Sequence, residues 1–560
     1  MEKGLQHITF ECGTWWGAFD GISQELTRLS ASAASEGLLM TILSIDAHNK
    51  GPDANAIVTA FYRLCRRSNP EEEVSARKFT CEMIRDSEYA AAYGNLTIKA
   101  TDFLATATDG RIEGITFSCN SNSQVVGALF VSTQIAPDST LQRVAIEKST
   151  WWDACDGISQ ELTRLSASAA SEGLLMTILS IDAHNKGPDA NAIVTAFYRL
   201  CRRTTPQEEV SARKFICHMI NKGVDYAIAY DELTKKANDF LAAAKSCRIE
   251  GITFSWNSNS RVVGALYVSL EHVAIVPRQL RVAGQLRVMS FNIWVSGGLS
   301  LKDCIQAVQD SNADVVCLQE ASHTVVQFMA LVLGMYCLPT QSVISRFPLH
   351  AVTPRETVRI LAADLGMSTD VYLCNIHAPA YPYPPYELKR HGLEKAVQIH
   401  DETQLPYIRD DVFGKCLKCI PWLEMDGDGG LFFPKMPSLV LLCGDFNCPS
   451  HLDDIYVGGE GEKKMQVQWS VSTLCASHGF IDTYKELHPN QPPPPSDYYS
   501  WTPLPKEEQE NCHDRIDFIY FLKERLMDVR VVACTHVRSL STGAPWPSDH
   551  MAVLAEFKFI

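Results

Sequence analysis

The sequence predicts an α/β protein in two parts, a C-terminal half of alternating strands and helices preceded by two tandem α+β repeat domains. Three observations carry this reading. Hydrophobic residues make up 46% of the 560, enough to pack cores in about two to four domains. A segment that begins at Asp20 returns unchanged at Asp156, 136 residues later. In the second half, apolar runs that finish on a polar residue alternate with helical patterns and polar loops, as α/β architectures require.

The repeated segment is DGISQELTRLSASAASEGLLMTILSIDAHNKGPDANAIVTAFYRLCRR, preceded both times by Thr-Trp-Trp. The likeness continues through EEEVSARKF and EEVSARKF to RIEGITFSCNSNSQVVGALFVS and RIEGITFSWNSNSRVVGALYVS. The expected domains are therefore residues 1–135 and 136–272, followed after a linker (273–284) by residues 285–560. A period this long excludes a solenoid, whose repeats run to about 20–50 residues. Within each unit ITFECGTWW reads as a short strand, and the QELTRLSASAASEGLLMTIL and ANAIVTAFYRLCRR stretches show apolar residues at helical spacing. The last stretch reads as two strands joined by an Asn-Ser turn.

Trp15-Trp16 and Trp151-Trp152 are read first as core residues. Their second reading is an aromatic surface whose doubling raises avidity. His48 and His184, each in Asp-Ala-His-Asn, are expected in surface turns. Asn95 opens a glycosylation sequon without a secretory context.

The formal charge is −15. A broad nucleic-acid footprint needs clustered Lys and Arg, so nucleic acid is not the favoured partner. No run of eighteen apolar residues occurs, and MEKGLQHITFECG lacks the basic and apolar regions of a signal peptide. The expectation is a cytoplasmic protein without a transmembrane segment, whose 19 cysteines are reduced thiols. Cys416 and Cys419 lack the second pair that a zinc site needs.

Function is carried by the strand ends of the second half. LRVMSFNIW ends on Asn292, ADVVCLQE on Glu320, VYLCNIHAP on His377, and LVLLCGDFN on Asp445 and Asn447; RIDFIYF opens on Asp517, and WPSDHMAVLAEF carries Asp549 and His550. One such residue is an ordinary cap, but six strands with complementary polar residues are not explained by capping. Hard carboxylate and carboxamide oxygens suit Mg²⁺ or Mn²⁺ rather than zinc. Two histidines add donors for charge that builds on a phosphoryl group.

The ordered set SFNIW, LQE, SRFP, NIHAP, GDFN, YSW, RIDF and SDH resembles the endonuclease/exonuclease/phosphatase superfamily, the group related to deoxyribonuclease I, over about residues 286–560. The resemblance implies a two-sheet α/β sandwich with the site at one sheet edge. It implies hydrolysis of a phosphoester by an in-line water, with Mg²⁺ or Mn²⁺ as cofactor. Asn292, Glu320 and Asp549 match the metal-side positions, Glu320 being the principal carboxylate. Asp445 and Asn447 match the pair that positions and deprotonates water, His377 a phosphate-contacting histidine, and His550 the closing histidine oriented by Asp517. Asp514 is set aside in favour of Asp517, which lies just inside its strand; Trp501, Arg346 and Trp294 are read as packing residues.

The shared motifs do not choose a substrate. Residues 281–560 hold 23 Lys plus Arg against 33 Asp plus Glu, a net −10, so a compact organic phosphate is favoured. A nuclease is the second reading and a sphingomyelinase-type phosphodiesterase the third. The non-enzymatic alternative is binding of an unidentified ligand or protein through the repeats. Two stretches single out this chain: the Pro- and Tyr-dense APAYPYPPYELKRHG after His377, and the long insertion DETQLPYIRDDVFGKCLKCIPWLEMDGDGGLFFPKMP.

Overall fold

A computed structural model describes residues 3–12, 15–35, 38–49, 56–66, 80–86, 110–119, 125–133, 141–172, 174–185, 192–202, 213–222, 226–244, 247–256, 262–271, 284–353, 357–366, 369–421, 423–425, 431–432, 438–457, 463–489, 499–501, 514–522 and 529–559. The expected linker apart from its last residue, Gly284, the Asn-Ser turns and the Asn95 sequon lie outside these residues. The chain divides into two compact units, Met1–His272 and Val273–Ile560.

Among the described residues the first unit holds four three-stranded antiparallel sheets. Each has its sequence-third strand in the middle, as in Lys3–Cys12, Ala56–Arg66, Leu38–Asn49 read across the first sheet. The same order recurs in residues 80–133, 141–202 and 213–271, so each 136-residue repeat is itself a pair of like-built halves. The second strand of every sheet slips register at the same place, between Ile42 and Ser44, Ile112 and Gly114, Ile178 and Ser180, and Ile249 and Gly251. These four bulged strands lie against one another, Leu38–Asn49 and Leu174–Asn185 each meeting Gly110–Cys119 and Arg248–Trp256. The contacts are close: Ser180 Oγ donates to the Ile115 carbonyl at 2.6 Å, and a Cβ on Gly251 would sit 3.3 Å from Ile181.

Four expectations for the repeats need correction. In QELTRLSASAASEGLLMTIL the helix ends at Ser35 and at Ser171, and LLMTIL opens the strands Leu38–Asn49 and Leu174–Asn185. ANAIVTAFYRLCRR is a strand, the central one of its sheet, not a helix. Val194, Ala196 and Tyr198 bury one face at a period of two, and Thr195 is buried on the other, which gives an apolar run with no visible strand alternation. The Trp-Trp pairs open the helices Trp15–Ser35 and Trp151–Ser171 rather than ending a strand; Thr150 caps the latter by accepting the Asp153 N–H. Trp151 packs partly into the core while Trp152 is 59% exposed. His48 and His184 lie within strands.

Among the described residues the second unit holds a sandwich of two six-stranded sheets and two two-stranded pairs, Glu424–Met425 with Leu431–Phe432 and Asp454–Val457 with Lys463–Gln466. From edge to edge the first runs Tyr336–Leu338, Val343–Ser345, Val315–Gln319, Gln285–Asn292, Ala552–Phe559, Val529–Val537. The second runs His350–Ala351, Thr357–Ile360, Asp370–His377, Ser438–Asp445, Asp517–Leu522, Phe480–Asp482. The five apolar residues of LVLLC follow from burial on both faces. Leu439, Leu441 and Cys443 meet Val288, Val315 and Phe557 of the first sheet, whereas Val440 and Leu442 face the layer that contains Ala396, Ile408, Val412 and Cys475. The insertion supplies part of that layer: the helix Leu393–Pro406, whose second half belongs to it, continues into a π-helix, Tyr407–Cys416, and the helix Ser470–Ser477 supplies another part. Among the described residues no helix is long and apolar enough to cross a membrane.

Candidate active site

Pairing register brings the strand ends together. Parallel pairing sets His377 beside Asp445, and antiparallel pairing sets Asp445 beside Asp517. On the facing sheet Asn292 pairs with Gln319, so Glu320 emerges next to it. A glycine is required where the two parallel strands approach, since a Cβ on Gly444 would lie 1.9 Å from the Ile376 carbonyl oxygen.

Asp445 is the hub. Its Oδ2 receives the Asn292 Nδ2 donor at 3.1 Å, and the Nε2 atoms of His377 and His550 each lie 3.8 Å from it. Its Oδ1 accepts the Asn447 N–H at 2.8 Å, and Asn447 Nδ2 donates to the Ala378 carbonyl at 2.8 Å. Glu320 Oε1 lies 3.3 Å from Asn292 Nδ2 and 3.8 Å from His377 Nε2. His550 Nδ1 meets Asp517 Oδ2 at 2.9 Å. Ser500 Oγ donates to the same oxygen at 2.7 Å and accepts the N–H groups of Ile516 and Asp517 at 2.9 Å each.

The electrostatics follow from this burial. Desolvation alone would lower the His550 pKa, but the Asp517 and Asp445 carboxylates outweigh it and raise the imidazole to about 10. Burial pushes Asp517 up to about 6 against the pull of His550. At neutral pH the pair is an imidazolium hydrogen-bonded to a carboxylate. Asp549 is also raised, by burial first; His550 opposes the shift and the nearby Glu320 charge adds to it.

Backbone strain collects at the same place. Glu320 and Asn447 have φ of 55° and 50°, and Trp294, Val295 and Ser296 have 45°, 45° and 61°. These are five of the seven positive-φ non-glycine residues among the described ones, and for β-branched Val295 the conformation is a genuine outlier. Such strain costs about 1–3 kcal/mol per residue and persists where the surroundings over-determine it. Here the Val295 N–H donates to Glu320 Oε2 at 2.8 Å, the Trp294 N–H to Asn292 Oδ1 at 3.0 Å, and the Ser296 N–H to the Glu320 carbonyl at 2.8 Å.

The eight residues singled out in the sequence thus lie where strand ends of the two sheets come together rather than, as expected, at the edge of one sheet. Asp517 reaches His550, whereas Asp514 accepts from Tyr383 Oη at 2.8 Å. Trp501 packs with Tyr383, Tyr386 and Ile516, its ring 6.4 Å from that of His550. Arg346 pairs with buried Asp314. Sequence reasoning passed over Ser500, although YSW carried the signal, and it had no means of pairing Tyr383 with Asp514.

The oxygens fit a hard divalent cation. Burial raises Asp549 first and the nearby Glu320 charge adds to the rise; a cation held by these two carboxyl groups relieves that repulsion. Asp445, Asp517 and His550 also bring ligand atoms within 4.8 Å of one another. In that trio His550 Nδ1 meets Asp517 Oδ2 at 2.9 Å and its Nε2 lies 3.8 Å from Asp445 Oδ2, an arrangement that favours a protonated ring.

Residues 289–550 match the Endonuclease/Exonuclease/phosphatase family. The match falls wholly within the C-terminal half of the chain. Endonuclease/exonuclease/phosphatase domains hydrolyse phosphoester bonds with a divalent metal, and that reaction class belongs to this half of the chain. An uncharacterized Caenorhabditis elegans protein, F14F9.5, is 26% identical over 307 residues, 49% of this chain and 92% of its own length. Among solved structures, an AP endonuclease from Archaeoglobus fulgidus is 15% identical, with coverage of 48% of this chain and 98% of its own and a TM-score of 0.29. Truncated C. elegans TDP2 gives 15%, 49%, 98% and 0.29 in the same order. The 3'-5' exonuclease NExo of Neisseria meningitidis gives 19%, 49%, 100% and 0.26.

Proposed function

We propose that residues 285–560 form a Mg²⁺- or Mn²⁺-dependent hydrolase that directs water at the phosphorus of a compact organic phosphoester. The observation that carries the proposal is the hub at Asp445 Oδ2, one buried carboxylate oxygen faced by Asn292, His377 and His550. Glu320, Asn292 and Asp549 would hold the cation, which when bound neutralises phosphoryl charge and orients the ester.

The remaining work falls to this chain's own side chains. Asp445 accepts the proton of the attacking water, in the position that Asn447 fixes through its N–H. The His550 imidazolium, kept charged by Asp517 and Asp445, faces the charge that grows on the phosphoryl oxygens. Ser500 and Asp517 set the ring orientation of His550, as a third member orients the base in a triad. His377, with 40% of its side chain exposed, is the donor on the open side. The new bond joins water oxygen to phosphorus, and the ester oxygen leaves as the alcohol.

The test is hydrolysis of p-nitrophenyl phosphate and bis(p-nitrophenyl) phosphate by the purified full chain, with Mg²⁺ or Mn²⁺ and with excess chelator. Asp445→Asn should retain its melting temperature and lose at least about a hundredfold in rate, the scale of general-base catalysis. Undiminished turnover by that variant, or full activity in chelator, would overturn the proposal.

A further inference from the structure

In the second repeat, two thiols and a phenol meet around one point. Cys155 comes from the helix Trp151–Ser171, Cys217 from the strand Arg213–Lys222 and Tyr267 from the strand Val262–Glu271. Antiparallel register makes Cys217 and Tyr267 direct partners, so their side chains are neighbours on one face. Phe215 and Met219 share that face with Cys217 at a period of two, and all three pack with the core that holds Cys155 and Tyr267. Cys155 Sγ lies 3.1 Å from Tyr267 Oη. Cys155 is buried, whereas Cys217 is partly exposed.

The first repeat has Phe19, Cys81 and Phe130 at the matching positions. Sheets of the same order form there, so packing alone does not call for two thiols and a hydroxyl together. Their chemistry is that of thiol oxidation. The Cys217 thiol donates to Cys155 and holds its pKa below the ordinary value, against the effect of burial and with help from the Tyr267 hydroxyl; burial pushes Cys217 itself well up. One sulfur is thus prepared as the nucleophilic thiolate and its neighbour as the thiol that resolves the product.

A bond between them would join the helix to a strand that it already covers. Arg213–Lys222 is an edge strand, and its Arg213 and Phe215 N–H groups donate to Ser166 Oγ and Thr163 Oγ1 of the helix, at 2.9 Å each. An uncovered edge is a template for pairing with another chain.

We propose that Cys155 and Cys217 are a peroxide-sensitive thiol pair whose disulfide locks the helix over this edge strand. The Cys155 thiolate attacks hydrogen peroxide; the S–O bond forms as the O–O bond breaks and hydroxide leaves. The Cys217 sulfur then gives up its proton and displaces the sulfenic hydroxyl as water. Two thiols and one peroxide become one disulfide and two waters. Tyr267 is a positioning residue that donates to the attacking sulfur.

The test treats the reduced full chain with a small excess of hydrogen peroxide, blocks the remaining thiols with N-ethylmaleimide and digests with trypsin in the absence of reductant. The expected product is peptide 149–164 joined to peptide 215–222, lighter by two hydrogens and separated again by dithiothreitol. Tyr267→Phe, which carries the residue of the first repeat, should slow the linkage several-fold without preventing it. Oxidation should also slow deuterium exchange at the Arg213 and Phe215 amides by about tenfold or more, an effect absent from Cys217→Ser. Recovery of the two cysteines as maleimide adducts or as separate sulfinic acids, or of Cys155 linked elsewhere, would overturn the pair. Linkage with unchanged exchange would overturn the lock, and an unchanged rate in Tyr267→Phe would overturn the role of the phenol.

Discussion

Gly444→Ala tests the register that assembles the site. Gly444 pairs with Ile376 one step before Asp445 meets His377. An added Cβ would sit 1.9 Å from the Ile376 carbonyl oxygen, 2.7 Å from its carbon and 2.8 Å from its nitrogen. All three atoms are backbone, so no side chain can swing aside. Carbon and oxygen need about 3.3 Å of separation, so the strands must part by more than an ångström. That movement strains the ladder and the Ala378 N–H bond to the Asp445 carbonyl, now 2.9 Å. With net hydrogen bonds worth about 1 kcal/mol each and overpacking about 1–3 kcal/mol, the cost should be about 3 kcal/mol or more. In a domain of this size that is a fall in melting temperature of at least about 6 °C, read by calorimetry or dye-based melting. Gly366→Ala is the control: its φ of 65° is strained, but nothing lies within 4 Å of the new Cβ, so it should cost only about 1 kcal/mol. Equal melting shifts for the two variants would refute the steric argument.

Asp514, raised to about 6 by burial against the pull of Tyr383, holds its proton more tightly folded than unfolded. Its contribution to stability is therefore full below its ordinary pKa and is lost as pH rises through about 6. Asp514→Asn keeps an acceptor for Tyr383 and should be up to about 3 kcal/mol more stable than wild type at pH 7.5, the gap closing near pH 4; a pH-independent difference in urea unfolding would contradict this. Arg515 is buried between Asp482 and Asp453, with contacts at 3.1 and 3.0 Å. Arg515→Met removes the guanidinium shared by the two buried carboxylates, leaving Asp453 to Lys485 and Asp482 to the backbone N–H groups of Tyr484 and Lys485, and should cost about 3–5 kcal/mol, measured by urea midpoint. Gln404 donates to the carbonyls of Pro379 and Pro382 at 2.9 and 3.2 Å and so ties the insertion to the aromatic loop after His377. Gln404→Ala removes two hydrogen bonds to the carbonyls of exposed prolines, for about 1 kcal/mol each, and proteolysis should cleave near Tyr381, which is 67% exposed, faster than in wild type.

The site was legible because strand ends are local. An apolar run that stops at Asp445 announces its polar end without any knowledge of its neighbours, and six such ends define one chemistry. What could not be read was the partner of a loop residue. Asp514 and Tyr383 are 131 positions apart, and no spacing rule links them. The repeats were harder for a different reason: a strand buried on both faces, such as Ala192–Arg202, carries no alternation, so Ile, Val and Ala at helical spacing fit a helix equally well. The halving of each repeat was hidden because its two halves share topology and a bulge, not residues.

The duplication carries a folding liability. The strands Leu38–Asn49 and Leu174–Asn185 are identical in sequence, as are their partners Ala56–Arg66 and Ala192–Arg202. Side-chain energies cannot tell the native pairing from the exchanged one. What separates them is chain length, six residues between Asn49 and Ala56 against 142 between Asn49 and Ala192, a loop-closure difference of about 3 kcal/mol. Lengthening the short connection would erode that margin and let the two repeats trade strands.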